Sequence, residues 1–310
     1  MAPDPSSHGI EVAATRGNSR TGSLSGTAAR SVLILPAFLG LIAFFVIPLV
    51  IFAVYSLLTA GLYRASAPTT LANYREPLSS PLVRTLGWNS LVTGALAATA
   101  TVGIAIPVSY WLRYRAARLR VPVLFLIIAT IFASYLVRIY AWRTILGETG
   151  ILNAALEKLG LINQPLGFML YSRTAVTIAL VQIYLPYVIL VLFAGFGPIG
   201  QPLLESAQDL GATALQRWRA ILVPLIAAPA LTSALLVFVL SASDYVTPQL
   251  LGGTNGVTLG VHVQTMMTAI GNWSVGSAVS LLMLGAFSLC YLLTALCLRV
   301  LRLDRIRWQA

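Results

Sequence analysis

Long apolar segments alternate with short polar segments along almost the whole chain. The hydrocarbon core of a bilayer is about 30 Å thick, so a helix needs about 20 apolar residues to cross it. Six segments of the sequence meet this requirement, at 31–58, 88–112, 121–143, 173–197, 224–250 and 275–299. The pattern predicts an all-α membrane protein with six transmembrane helices.

The two ends of the chain differ in composition from the apolar segments. Residues 1–30 are rich in Ser, Gly, Thr and Ala and lack the apolar core of a cleavable signal peptide. We therefore expect a disordered cytoplasmic tail at 1–30. One membrane domain is expected at 31–300, followed by a short cytoplasmic tail at 301–310.

Basic residues are distributed unevenly between the two sides of the predicted bundle. Of the 20 Lys and Arg residues, thirteen lie on one side, at positions 16, 20, 30, 113, 115, 118, 120, 217, 219, 299, 302, 305 and 307. The positive-inside rule then places both termini in the cytoplasm. The net charge of +11 is explained by anionic membrane lipid at these boundaries, so lipid is an expected partner and nucleic acid is not.

The sequence lacks the common motifs of catalytic and nucleotide-binding sites. It contains no phosphate-binding loop, no zinc-binding H-E-x-x-H pattern and no G-x-S-x-G turn, and its two histidines are His8 and His262. The chain is therefore not expected to be an enzyme or to hold a cofactor. Any active transport must take its energy from another protein.

One polar segment, ESAQDLGATALQRWRAILVPL at 205–225, separates the fourth and fifth apolar runs. Gly211 is suited to end a first short helix in the left-handed conformation. Thr213 stands three residues before Gln216, which is the capping-box pattern at the start of a second helix. That helix is expected to be interrupted at Pro224. The segment therefore predicts a helix, a glycine turn and another helix.

The same segment resembles the EAA loop of permease subunits of ABC importers. In that loop Glu-Ala-Ala is followed by three residues and Gly, then by nine residues, Ile, one residue and Leu-Pro. The matching residues here are Glu205, Ser206, Ala207, Gly211, Ile221, Val223 and Pro224. The resemblance implies that loop 198–223 couples the permease to an ATPase, with Glu205 and Asp209 facing that partner and Gly211 setting the docking angle.

The resemblance covers most of the chain after residue 31. The stretches SYLVRIYAWRTILGETGILNAAL and SASDYVTPQLLGG are similar to those of spermidine/putrescine-type permeases. This implies a type I ABC importer permease fold in the bacterial inner membrane. The implied partners are two ATPase subunits that hold ATP and Mg, a second permease that is expected to be a different chain, and a periplasmic solute-binding protein. The three predicted outer loops, 59–87, 144–172 and 251–274, are expected to receive that binding protein.

A polyamine is the solute that the family resemblance implies. Charge and cation–π attraction make a set of residues candidates for the solute pathway or gate. These are Arg138, Asp244, Tyr135, Tyr245, Trp142 and Glu148, with Tyr140, Tyr184 and Trp273 as further aromatic candidates. For each aromatic residue, a place in an interfacial belt is favoured over contact with the solute. Another small organic solute, an ion-coupled secondary carrier and a membrane scaffold without transport activity remain alternatives.

Two of these candidates carry opposite charges at similar depths. With a rise of about 1.5 Å per residue, Asp244 lies about 30 Å along its helix from Pro224, and Arg138 lies about 26 Å from Val121. A lone charge at this depth is unfavourable, whereas a pair is tolerated. We therefore predict a salt bridge or one bridging water between them in at least one state, as part of an outer gate.

Overall fold

A computed structural model describes residues 26–61, 64–167 and 169–300, and most of these residues are helical. The elements in chain order are α1 (Gly26–Leu57), β1 (Leu58–Gly61), β2 (Arg64–Thr69), α2 (Ala72–Ser79), α3 (Pro81–Tyr114), α4 (Arg120–Ile131), α5 (Tyr135–Leu146), α6 (Ile151–Lys158), α7 (Arg173–Gly195), α8 (Gln201–Asp209), α9 (Ala214–Arg217), a π-helical segment (Trp218–Leu222), α10 (Val223–Ser243), α11 (Val246–Leu251), α12 (Leu259–Thr268) and α13 (Trp273–Val300).

The predicted tails fall mostly outside this description. Residues 1–25 and 301–310 are not among the described residues. Residues 26–30 belong to α1. Ala28, Ala29 and Arg30 are good helix formers, and they extend the apolar helix toward the N-terminus.

The described residues contain five helices long and apolar enough to cross a membrane, and six spans if one bent pair counts as a single crossing. The prediction of six spans is confirmed when the bent pair is counted as the third span. The third span is not a regular helix, because the chain bends by 97° between Arg120–Ile131 and Tyr135–Lys158. The fifth span was predicted to run to residue 250, but α10 ends at Ser243 and α11 starts separately.

The described residues up to Val50 form a compact unit of their own, and the remaining elements belong to a second unit that begins at Ile51. The first unit is the N-terminal part of α1. Its apolar side chains are exposed from Phe38 onward, including Phe44 with 87% of its surface accessible. In a bilayer such a helix contacts lipid or another protein.

The core of the second unit is formed by α3, α7 and α10. Small residues on α3 face inward at helical spacing, and they are Gly94, Ala97, Ala98, Thr101, Ala105 and Ser109. Small side chains allow membrane helices to approach closely, which increases their van der Waals contact. Ser109 also donates a hydrogen bond to the carbonyl of Ile189 on α7, at 3.0 Å.

Short elements cover the end of the bundle opposite α8. An antiparallel hairpin of β1 and β2, absent from the all-α prediction, links α1 to α2. Buried Asn73 on α2 donates hydrogen bonds to the carbonyls of Ser56 and Leu58, at 2.9 and 2.7 Å. The short helix α6 lies in the loop that follows α5, and Gly160 comes after it with φ +67°.

Gly94 lies at a close contact between α3 and α10. A Cβ atom built there would lie 2.9 Å from both the Cβ of Ala242 and the carbonyl oxygen of Phe238. We predict that Gly94→Val destabilises the protein by about 1–3 kcal/mol through overpacking. The measurement is the melting temperature of the purified protein. Gly103→Val is the matched control, because a Cβ at Gly103 has no neighbour within 4 Å; equal effects of the two substitutions would contradict the prediction.

Candidate functional site

The segment that resembles the EAA loop begins with α8 and a glycine turn. After α8, Gly211 has φ +82°, a conformation that favours glycine. The Ala212 amide donates to the carbonyl of Ala207, and the Gly211 amide donates to that of Gln208. These two bonds form a Schellman motif, which satisfies the last carbonyls of the helix. The predicted turn at Gly211 is confirmed.

The second helix of the loop starts as predicted but continues further. Thr213 and Gln216 form both hydrogen bonds of a capping box. Pro224 does not interrupt the helix, because the preceding turn is π-helical and the Val223 amide bonds to the carbonyl of Trp218, five residues earlier. The wider turn accommodates a proline that has no amide hydrogen. The loop is therefore helical without interruption from Ala214 into the fifth span.

Contacts with α3 and α7 hold this loop in place. Leu204 on α8 is buried with Phe196, Leu222 and other apolar residues in a separate small core. The ring of Tyr110 on α3 lies 4.9 Å from that of Trp218. Arg113, near the end of α3, donates a hydrogen bond of 2.7 Å to the carbonyl of Gly197. A displacement of the loop must therefore move the ends of both membrane helices with it.

The outward face of the loop carries both charged and apolar side chains. Glu205, Ser206 and Asp209 are exposed, whereas Ala207 is half-buried. Leu203 and Leu210, which the helical spacing places on one face with Ala207, are also exposed, and Leu210 has 88% of its surface accessible. An exposed patch that combines apolar and acidic groups is typical of a protein docking surface.

A cavity of about 450 Å³ lies between the bend of the third span, α7 and α10. Tyr135 and Arg138 line it from α5, and Tyr184 and Tyr187 line it from α7. Ser233 lines it from α10 and is only 3% exposed, and its hydroxyl has no hydrogen-bond partner among the described residues. The cavity combines polar groups with an apolar wall, which is the usual composition of a small-molecule site.

Arg138 and Asp244, which were predicted to pair, are both among the described residues, and their side chains form no salt bridge with each other in this structure. Arg138 donates to the carbonyls of Ala133 and Ile183, at 2.9 and 3.5 Å. Asp244 accepts a hydrogen bond of 2.8 Å from the Tyr135 hydroxyl and further bonds from the amides that begin α11. Tyr135 therefore connects the break in the third span to the break that follows α10. The direct pair stays a prediction for another state.

The other candidate pathway residues lie away from the cavity. The Trp142 indole donates to the side chain of Gln182 at 3.4 Å. Glu148 is exposed and lies beside Gly167 in the loop after α5. Tyr245 lines a different groove, next to α12 and α13.

Tyr184, an aromatic candidate of the sequence analysis, lines the cavity, whereas two other lining residues, Tyr187 and Ser233, were not selected. Tyr187 follows Pro186 in an apolar span, and Ser233 interrupts an apolar run on α10. A polar side chain inside a predicted span was therefore the sequence feature that could have indicated these residues. That feature does not show whether the side chain faces a cavity, lipid or another helix until the packing of the helices is known.

Comparison with known proteins identifies the family. No protein-family model matches the chain. The chain is 33% identical over 242 residues to the spermidine/putrescine transport system permease protein PotB of Haemophilus influenzae, a match covering 78% of this chain and 84% of that protein. The chain belongs to the family of ABC importer permeases that includes PotB. PotB of Escherichia coli K12 is 32% identical over 212 residues, and these cover 68% of this chain and 76% of that protein.

More distant relatives agree with this family. The inner membrane ABC transporter permease YdcU of Escherichia coli K12 is 28% identical over 225 residues, which cover 68% of this chain and 71% of that protein. Two crystal structures of a bacterial alginate ABC transporter share the fold, with TM-scores of 0.70 and 0.72 at 16% and 15% identity. They cover 90% and 91% of this chain, and 98% and 99% of their own chains.

Membership of this family defines the general role of the chain. It is a multi-pass permease subunit of an ABC importer in the inner membrane. It is a transport subunit and not an enzyme, because ATP hydrolysis belongs to a partner ATPase. A periplasmic solute-binding protein is the other partner that an importer of this kind requires.

The hydrogen bond from Tyr135 to Asp244 should stabilise the conformation described here. We predict that Tyr135→Phe destabilises this state by about 1 kcal/mol, since two backbone amides still bond to Asp244. The melting temperature of the purified protein should fall by about 2–4 °C. Tyr140→Phe is the control, because Tyr140 is exposed and its hydroxyl bonds to none of the described residues. An unchanged melting temperature for Tyr135→Phe would contradict the assigned role.

Proposed function

We propose that the importer containing this permease carries a polyamine. The observation that supports this most strongly is the 33% identity to a spermidine/putrescine permease over 78% of the chain. The three tyrosines of the cavity, Tyr135, Tyr184 and Tyr187, offer ring faces and hydroxyl oxygens to an ammonium group. The methylene segments of a polyamine fit the apolar wall formed by Leu236, Val237 and their neighbours.

A small solute with an acidic group is the second candidate. Arg138 is the one lining residue with a formal charge among the described residues of the cavity. Its guanidinium repels a polycation, and it attracts a carboxylate. Asp244, which contacts the cavity residue Tyr135, accepts hydrogen bonds from Tyr135 and from the start of α11.

The proposed assembly contains two ATPase subunits, this permease, a different second permease and the periplasmic binding protein. ATP and Mg are bound by the ATPases. The distribution of basic residues favours a cytoplasmic location for α8 and for both termini. The opposite end, with loops 59–87, 144–172 and 251–274, receives the binding protein.

The coupling role of the loop rests on its geometry. Glu205 and Asp209 are exposed at one end of the bundle, while Leu204 and Trp218 contact the ends of the membrane helices. ATP-driven movement of a docked ATPase would therefore reach α3 and α10 as a rigid-body shift. The break at Asp244 lies at the far end of α10, and its geometry can change when that helix moves.

The solute is identified by measuring ATP hydrolysis by the complete importer in proteoliposomes. We expect binding protein loaded with spermidine or putrescine to increase ATP hydrolysis and to drive uptake of the labelled amine. Binding protein loaded with a dicarboxylate serves as the comparison. Stimulation by the dicarboxylate alone would exclude the polyamine and favour the second candidate.

Substitution of Gly211 tests the coupling role. A side chain at φ +82° is strained by about 1–2 kcal/mol, so Gly211→Val should distort the turn between α8 and α9. We expect less ATPase to co-purify, or ATP hydrolysis that no longer responds to solute. Gly160→Val is the matched control for ATPase co-purification, because Gly160 also has positive φ and open space around it but lies in an outer loop, at the end of the bundle opposite the coupling loop. Normal solute-stimulated ATP hydrolysis in Gly211→Val would refute the coupling role.

A further inference from the structure

An apolar groove runs between α3 and α13 at the end of the bundle opposite the coupling loop. Its volume is about 200 Å³, and its walls are almost entirely hydrocarbon. Leu91 on α3 and Leu282 and Phe287 on α13 are among the lining residues, and α2 covers one end with Leu78. The one lining hydroxyl, that of Ser90, already accepts a hydrogen bond from the Leu259 amide.

The groove is open because α3 carries a glycine at its floor. A Cβ built on Gly87 has no neighbour within 4 Å, whereas one built on Gly94, two turns further along the same helix, would collide with α10. Gly94 is thus required for helix packing, and Gly87 is not. The absence of a side chain at residue 87 leaves an elongated space that begins near the start of α3.

A single positive charge lies at the mouth of this groove. Arg84 lines it, is exposed, and makes no side-chain hydrogen bond or salt bridge with the described residues. Arg84 is the fourth residue of the 34-residue helix α3. Arg84 precedes the predicted apolar span at 88–112 by four residues, or about 6 Å of helix, which places it at the edge of the hydrocarbon core within reach of the headgroups.

We propose that this groove binds one phospholipid, with an acyl chain along Gly87 and the phosphate on the guanidinium of Arg84. The apolar walls match a hydrocarbon chain, and a guanidinium pairs with a phosphate through two parallel hydrogen bonds. The charge at one end and hydrocarbon along the rest match the two parts of a phospholipid. The site is distinct from the cavity beside Tyr135 and does not depend on the identity of the solute.

The proposal is tested with the complete importer in nanodiscs that contain phosphatidylglycerol with a photoreactive acyl chain. We expect cross-links to peptides from both 81–91 and 279–287. Gly87→Leu fills the groove and should remove most of these cross-links. Gly103→Leu is the matched control, because Gly103 is exposed on the same helix, has equally open space and lies outside the groove; it should leave them unchanged.

The contribution of the charge is tested in the same experiment. Arg84→Gln should reduce the cross-linking about fivefold, the change expected for one basic residue near anionic lipid. Arg75→Gln removes an exposed positive charge from α2 at the same end and should have little effect.

Two results would overturn the proposal. The first is an equal loss of cross-links in Gly87→Leu and Gly103→Leu, or no loss in either. The second is covalent capture of the second permease by a photoreactive amino acid in place of Leu91, because a protein helix would then occupy the groove.

Discussion

Close contact between α3, α7 and α10 through small side chains is the constraint on which the rest of the structure depends. In a bilayer the hydrophobic effect contributes little to helix association, so packing and hydrogen bonds must provide the stability. Gly94 allows α3 to reach α10, and Ser109 joins α3 to the backbone of α7. Because these three helices form one packed unit, the loop and the cavity at its borders keep fixed positions relative to each other.

The coupling loop and the cavity use this unit in different ways. The loop is attached to the unit by buried Leu204 and by the aromatic contact of Trp218 with Tyr110, so it moves together with α3 and α10. The cavity lies where two spans are broken, and one hydrogen bond from Tyr135 to Asp244 connects the breaks. The loop is thus rigidly connected to the helices at one end of the bundle, and the hydrogen bond between Tyr135 and Asp244 is a contact that can break at the other end. This combination suits a permease that must open in response to its ATPase.

Charged groups near the cavity form hydrogen bonds mainly with the backbone. Arg138 donates to the carbonyl of Ala133 at the bend of the third span and to that of Ile183 on α7, and Asp244 accepts hydrogen bonds from the amides at the start of α11. Helix ends expose unpaired amides and carbonyls, so a broken span can stabilise a charge that an unbroken helix would leave unpaired. The same breaks therefore provide both the flexibility of a gate and the partners for its charges.

The sequence by itself determined the features that depend only on residues close together along the chain. The apolar spans, the turn at Gly211 and the capping box of Thr213 are local, and the structure contains all three. The match of the loop to the EAA spacing also indicated the family before any contact was known. Most of the residues that line the cavity were less predictable, because a polar residue in a span does not reveal which neighbouring helix it faces.

Tertiary structure alone decided the rest. The bend at 132–134 contains neither Pro nor Gly, the residues that most often break a helix, and it forms where the third span packs against its neighbours. Pro224 was expected to interrupt a helix, but a π-helical turn accommodates it within a continuous helix. Tyr135 took the place of Arg138 as the partner of Asp244, since that choice depends on two helix breaks meeting at one depth. Such contacts join residues more than 100 positions apart in sequence, and only the packed bundle brings them together.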